Sequence, residues 1–68
     1  MPYATVDDLP PAVRTHLPEH ARAIFLAAFN DAFDRYAALP DREAVAFRVA
    51  WSAVAQRYRK AGDTWIEK

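Results

Sequence analysis

The sequence predicts a mainly α-helical fold, a compact three-helix domain with a small two-stranded antiparallel sheet formed by the chain ends. Two aromatic-rich stretches, residues 23–36 and 45–65, hold almost all of the apolar bulk. Their apolar side chains recur at three- and four-residue intervals, as they do along one side of a helix. Residues 3–6 and 64–66 are instead rich in the residue types that favour strands.

Length and composition bound the architecture. A chain of 68 residues provides for one domain, over residues 1–68. It contains no cysteine, so neither a disulfide nor a thiolate metal site can stabilise it. Its 53% hydrophobic content argues against disorder and leaves helix packing as the main source of stability.

The first nine residues should form an extended lead-in to a short helix. Asp7 or Asp8 can cap that helix, because a carboxylate accepts hydrogen bonds from its unpaired N–H groups. The helix should run from about Pro10 to His16 and stop before Pro18, since proline disfavours helical geometry in the residue before it.

A second helix should run from about Pro18 to Ala38. Asp31 and Arg35 lie one turn apart, off its apolar side, and should form a favourable ion pair. The apolar stripe of this helix comprises Ala21, Ile24, Phe25, Ala28, Phe29, Ala32, Phe33 and Tyr36.

A third helix should begin after Asp41, a good N-cap residue, and continue to about Lys60. Gly62 should then stop it, because glycine adopts left-handed dihedral angles without a steric cost. Its apolar face comprises Ala46, Phe47, Ala50, Trp51, Ala53, Val54 and Tyr58.

These stripes define the predicted core and sheet. The short helix should pack across the other two. Tyr3 to Thr5 should pair antiparallel with Thr64 to Ile66, which would bury most of Trp65. The residues expected to form the core are Phe25, Phe29, Phe33, Ala50, Trp51 and Val54.

No cluster of residues predicts catalysis, a metal or a cofactor. His16 and His20 have the spacing of two metal ligands on one helix, but Pro18 between them breaks that geometry. The aspartates fit solvated helix faces and caps, because so small a chain leaves little room for a catalytic cleft. Ser52 has no adjacent base that could activate it. We therefore expect a protein that is not an enzyme.

Charge is balanced overall but not along the chain. Residues 1–41 hold three arginines against six acidic residues, and residues 42–68 hold six basic residues against three acidic ones. Cations near Tyr58 and Trp65 resemble the mixture found in single-strand nucleic-acid binders. The alternative, which we favour, places both aromatics in the core and the cations at a helix end. The candidate surface for a partner or nucleic acid comprises Arg48, Arg57, Arg59 and Lys60.

Neither a membrane span nor a signal peptide is predicted. No apolar run approaches the roughly 18–20 residues that cross a bilayer. The N-terminus lacks a basic segment followed by an uninterrupted apolar one. We therefore expect a cytoplasmic protein without direct membrane insertion.

Several short motifs, in order along the chain, make it resemble the ChaB family. The N-terminal ones are Met1-Pro2-Tyr3, Asp8-Leu9-Pro10, Leu17-Pro18 and His20-Ala21. The helical ones are Ala28-Phe29-Asn30 followed by Ala32 and Tyr36, and Val49-Ala50-Trp51 followed by Ala53-Val54 and Tyr58. The last are Gly62 and Trp65, so that the resemblance covers essentially the whole chain.

The resemblance implies three helices with a small antiparallel sheet, in an arrangement similar to a cyclin box. ChaB proteins carry the name of regulators of ChaA, a calcium/sodium–proton antiporter of the bacterial inner membrane. The resemblance therefore implies a non-enzymatic regulator that binds a protein partner. Viral members are associated with single-stranded DNA, and some members are fused to the N-terminal domain of the terminator Rho. A nucleic-acid-binding module is accordingly the alternative.

Overall fold

Three α-helices followed by a β-hairpin make up the domain, as a computed structural model of the chain describes it for residues 3–68. The predicted class, three helices with a two-stranded antiparallel sheet, is confirmed. A short 3₁₀ helix, Val6–Asp8, precedes the first α-helix. The helices are α1 (Pro11–His16), α2 (Glu19–Arg35) and α3 (Arg42–Arg57), and the strands are β1 (Tyr58–Ala61) and β2 (Thr64–Glu67).

The N-terminal segment is not a strand, so the predicted pairing of Tyr3 to Thr5 with Thr64 to Ile66 is wrong. The side chain of Asn30 on α2 takes the place of a strand partner. Its Oδ1 accepts a hydrogen bond from the Tyr3 N–H at 3.3 Å, and its Nδ2 donates one to the Tyr3 carbonyl at 2.8 Å. The Tyr3 ring packs on Phe29, with 5.0 Å between centroids. Met1 and Pro2 lie outside the described residues.

The predicted cap also has a different location. The Asp8 carboxylate accepts hydrogen bonds from the Thr5 N–H at 3.1 Å and the Thr5 hydroxyl at 3.2 Å, which closes the 3₁₀ helix. Pro10, not an aspartate, occupies the N-cap position of α1. Proline is suited to the start of a helix because the N–H that it lacks would find no partner there.

We expect Asn30→Ala to lower the free energy of unfolding by about 1–2 kcal/mol, because it removes two partly buried hydrogen bonds to the backbone. Urea denaturation of both proteins measures the difference. Asn30→Asp keeps the acceptor but loses the donor, so its stability should fall between the two. Wild-type stability in Asn30→Ala would show that the two Asn30–Tyr3 hydrogen bonds contribute nothing to the free energy of unfolding.

The core lies between α2 and α3, where small residues let the two backbones approach. Ala21 and Ala32 on α2 and Ala46 and Ala50 on α3 are at most 1% exposed. Aromatic rings fill the space beside them. The predicted core members Phe25, Phe29, Ala50 and Val54 are fully buried.

Two predicted core residues, Phe33 and Trp51, are only partly buried. The guanidinium carbon of Arg42 lies 3.6 Å from the centre of the Phe33 ring, a cation–π contact that covers part of this ring. Trp51 packs against Trp65 of the β-hairpin. A hairpin beside Trp51 was not predicted from the sequence. Three residues that were not expected in the core, Leu9, Val13 and Leu17, are buried and tie the N-terminal segment to it.

Both long helices end earlier than predicted. Helix α2 ends at Arg35 and turns follow it, and α3 ends at Arg57 instead of Lys60. Tyr58 has extended dihedral angles (φ −129°, ψ 156°), and it starts a strand in which its ring stays 5% exposed. Tyr58 follows Val54 at a helical interval and is also buried as a strand residue, so the apolar spacing alone could not distinguish the two.

The hairpin turns at Gly62 and Asp63. Gly62 has a positive φ of 64° and Asp63 does not, which is the φ pattern of a type II′ turn with glycine first. Gly62 was predicted to stop a helix, and its positive φ serves a strand turn instead. The register pairs Tyr58 with Glu67, Arg59 with Ile66, Lys60 with Trp65, and Ala61 with Thr64.

Candidate functional site

A groove opens between α1 and the hairpin, with α3 at its base. It is open to solvent and has a volume of about 280 Å³. Five side chains line it, from four different elements, and we call it the tryptophan groove: Ala12, His16, Trp51, Lys60 and Trp65. Both tryptophans of the chain are among them.

Two indole rings form the apolar wall of the tryptophan groove. The Trp51 and Trp65 centroids are 5.6 Å apart with 26° between the ring planes, so the rings are stacked. Trp51 also meets Phe25 nearly edge to face, with 5.1 Å between centroids. Because Phe25 is fully buried, this contact anchors the wall to the core. The surface is therefore preformed and aromatic.

Lys60 supplies the cation of the groove. Since successive side chains of a strand point to opposite faces, Lys60 and its register partner Trp65 share one face of the hairpin, and Arg59 and Ile66 share the other. Lys60 makes no ion pair or side-chain hydrogen bond within residues 3–68. The nearest acidic position on its face is Glu67, which pairs with Tyr58 and is diagonal to Lys60.

His16 closes the groove at the end of α1. Its Nδ1 lies 2.7 Å from the Ala12 carbonyl oxygen. A carbonyl can only accept, so Nδ1 donates and Nε2 remains as the second polar atom of the ring. The Thr64 hydroxyl donates to the His16 carbonyl at 3.4 Å, which links β2 to the same helix end.

The four predicted surface cations do not form one patch. Arg48 and Arg57 are nine residues apart on α3, which places them on opposite sides of a helix with roughly 3.6 residues per turn. Arg59 and Lys60 are neighbours in sequence and point to opposite faces of the hairpin. Of the four, only Lys60 lines the groove.

The histidines and the predicted ion pair have separate structural roles. His20 Nδ1 lies 3.2 Å from the Tyr58 hydroxyl, and the two rings meet edge to face. Among residues 3–68, no group of three or more histidine, aspartate or glutamate side chains is placed to hold a metal ion. Arg35 pairs with Asp31 at 2.9 Å, as predicted.

Within residues 3–68, the Tyr3 phenol is the group whose pKa is clearly perturbed. Burial raises the pKa of the Tyr3 phenol, and the negative charge of Glu43 adds to the rise. Both causes favour the neutral phenol, which agrees with its place against Phe29. This group lies on the N-terminal segment and does not line the groove.

Comparison with known proteins assigns the family. The sequence model of the family described as ChaB matches residues 9–68. The chain belongs to the ChaB family. Relatives from Escherichia coli strain K12 and from Shigella flexneri are each 44% identical over 75 residues, which covers 100% of this chain and 99% of theirs. Both are named "Putative cation transport regulator ChaB".

A solved structure extends the likeness to three dimensions. The NMR solution structure of a protein with the same name has a TM-score of 0.89 to this chain at 43% identity. The match covers 98% of this chain and 99% of the other. The resemblance that the short motifs indicated is confirmed, and the name that the ChaB relatives share supports a regulatory role in general.

The tryptophan groove of this ChaB-family chain was not predicted from its sequence. Gly62 and Asp63 between two strand-like segments were the available signal, because a glycine followed by aspartate favours a two-residue hairpin. That turn would have placed Lys60 opposite Trp65. In the part of the chain that the structure describes, no helix is long and apolar enough to cross a membrane.

Proposed function

We propose that this protein is a non-enzymatic regulator that binds a cation-transport protein, a ChaA-type calcium/sodium–proton antiporter of the inner membrane. The observation that carries the proposal is the end-to-end match, at 44% identity, to relatives named as cation transport regulators. On this proposal the chain acts from the cytoplasm through protein–protein contact and does not insert into the bilayer.

The surface chemistry supports a protein partner. The centre of a protein–protein interface is typically aromatic and poor in charge, with tryptophan, tyrosine and arginine contributing most to affinity. The tryptophan groove has this composition, with a stacked indole pair and one lysine. Two of the side chains that could act as acid or base have structural contacts instead, His20 with Tyr58 and Asp31 with Arg35.

The alternative, a module for single-stranded nucleic acid, has less support. Such proteins combine aromatic platforms with a continuous cationic path along the backbone of the strand. Arg48, Arg57, Arg59 and Lys60 point in different directions from α3 and the hairpin, so one strand could not contact all four without crossing the domain.

Binding to the antiporter tests the proposal directly. The antiporter of the same organism, held in lipid nanodiscs, is titrated with fluorescently labelled protein, and empty nanodiscs of the same lipid serve as the control. We expect saturable binding to the loaded nanodiscs only. Equal signals from both would contradict the proposal.

A labelled single-stranded oligonucleotide, titrated at about 50 and 200 mM salt, tests the alternative, because several phosphate contacts would make affinity fall steeply over this range. We expect no micromolar binding at either salt concentration. Micromolar binding that an Arg57/Arg59/Lys60 triple alanine variant loses would favour the nucleic-acid function.

A further inference from the structure

We propose that the tryptophan groove binds an acidic–aromatic segment of a protein partner, in which an aromatic side chain lies beside a glutamate or aspartate. The aromatic ring packs on the indoles of Trp51 and Trp65, and the neighbouring carboxylate pairs with the ammonium group of Lys60. The inference rests on the proposed function in one respect, that the protein acts by binding another protein.

The size of the groove favours a side chain as its occupant. Pockets that enclose small-molecule ligands typically have volumes of about 300–1,000 Å³. At about 280 Å³ and open to solvent, the tryptophan groove lies at the lower end of that range. A large cofactor would extend beyond it, whereas one aromatic side chain and its neighbour in a peptide fit the space.

The aromatic wall selects a flat apolar group. Aromatic rings attract one another in offset-stacked or edge-to-face arrangements beyond the effect of buried area alone. Trp51 is fixed by Phe25 behind it and Trp65 in front of it, so the wall loses little conformational entropy on binding. Preorganised surfaces bind more tightly for the same contacts.

Charge complementarity selects a carboxylate. Lys60 lies on the groove face with no ion-pair partner in the described part of the chain, and no acidic residue lines the groove. Glu67, diagonal on the same face, weakens the local positive potential without lining the groove. An aromatic residue next to a carboxylate can pack on the two indoles and pair with Lys60 at the same time.

A nucleic-acid strand matches the same groove less well. It would stack a base on the indoles, but only Lys60 would meet its phosphates, because Arg59 lies on the opposite face of the hairpin. Affinity for nucleic acid depends on several phosphate contacts together. A single acidic side chain needs only one cation.

Binding in the groove can be measured by the intrinsic fluorescence of its two tryptophans. Both line it, so a ligand that enters the groove should change the intrinsic tryptophan fluorescence. The probe is a capped peptide, acetyl-Gly-Phe-Glu-Gly-amide. Its matched partners replace the central pair by Phe-Gln, Ala-Glu or Phe-Lys, and none of the four contains tryptophan.

We expect the Phe-Glu peptide to saturate with a dissociation constant of roughly 0.1–1 mM, because two side chains supply little binding free energy. The Phe-Gln and Ala-Glu peptides should bind at least about threefold more weakly, since each loses one of the two contacts. Equal binding of the Phe-Glu and Phe-Lys peptides would overturn the proposal. So would saturation by a thymidine oligonucleotide under conditions in which the Phe-Glu peptide produces no change.

Three substitutions of exposed residues test whether Lys60 is the cation that pairs with the carboxylate of the peptide. Lys60→Gln should weaken binding of the Phe-Glu peptide about three- to tenfold and leave the Phe-Gln peptide unaffected. Arg59→Gln removes the same charge from the other face of the same strand and should change neither. Glu67→Gln should strengthen Phe-Glu binding about twofold, because it removes the diagonal negative charge. Thermal melts confirm that all three variants fold, and undiminished Phe-Glu binding by Lys60→Gln would overturn the assignment.

The antiporter titration separates this inference from the proposed function. If Lys60→Gln weakens antiporter binding and Arg59→Gln does not, both the groove inference and the proposed function are supported. If the antiporter binds wild type and Lys60→Gln equally well, the groove is not its docking site and the proposed function stands. If the Phe-Glu peptide binds in the groove and the antiporter does not bind, the groove stands and its partner is another protein.

Discussion

Phe29→Ala is expected to lower the free energy of unfolding by about 3–5 kcal/mol, the cost of replacing a fully buried aromatic side chain with alanine. Its ring is at the centre of the aromatic core. The centroid distances are 4.8 Å to Phe47, 5.0 Å to Tyr3, 5.9 Å to Phe33 and 6.1 Å to Phe25. A domain of this length has a total stability of about 3–10 kcal/mol, so the variant should be largely unfolded.

Circular dichroism during thermal and urea denaturation measures this loss. Phe33→Ala is the matched control, because it makes the same change one turn later on α2 at a ring that is partly exposed and covered by Arg42. It should cost about 1–2 kcal/mol and retain a cooperative transition, since less apolar surface is lost. A Phe29→Ala variant that melts near the wild-type temperature would show that the core is not organised around this ring.

The sequence predicted the helical part of the fold because apolar periodicity is a local signal. The alternation of buried and exposed residues along α2 places Phe25 and Phe29 in the core directly from their spacing. The pair Asp31 and Arg35 needs only the helix itself to be formed. Elements that depend on their own residues alone were therefore predictable.

The N-terminal segment could not be predicted in this way. Tyr3 and Thr5 favour strands, but the chain satisfies the Tyr3 backbone with the Asn30 side chain, 27 residues away. Asparagine carries a donor and an acceptor on one planar group, as a peptide unit does, so it can replace a strand partner. Nothing in the local pattern shows that this contact exists.

The hairpin was missed because its first strand continues the helical pattern. Tyr58 follows Val54 at a helical interval, and the cations after it also suit a helix C-terminus. The strand forms instead because residues 64–67 return antiparallel to it and place Trp65 on Trp51. Alternation along the strand then separates Arg59 from Lys60, and this separation changes the candidate site from a basic patch to a groove with one lysine.

Deletion of residues 64–68 is expected to cost about 2–4 kcal/mol, although terminal residues are usually dispensable. It removes the whole of β2, and with it every partner of β1 in the sheet. It also removes the Trp65 ring that stacks on Trp51, so the indole of Trp51 loses this cover and becomes exposed to water. The loss is large because the hairpin covers one side of the core.

Urea denaturation compares this truncation with a shorter one that removes only residues 67 and 68. Both of those residues are exposed, and their deletion takes away the hydrogen bond from the Lys68 N–H to the Arg57 carbonyl while leaving Trp65 in place. The shorter truncation should therefore cost less than about 1 kcal/mol. If the protein lacking residues 64–68 keeps wild-type stability, the contacts of the hairpin with the helices contribute nothing to the free energy of unfolding. Equal losses from the two truncations would place the effect in the last two residues and not in the indole stack.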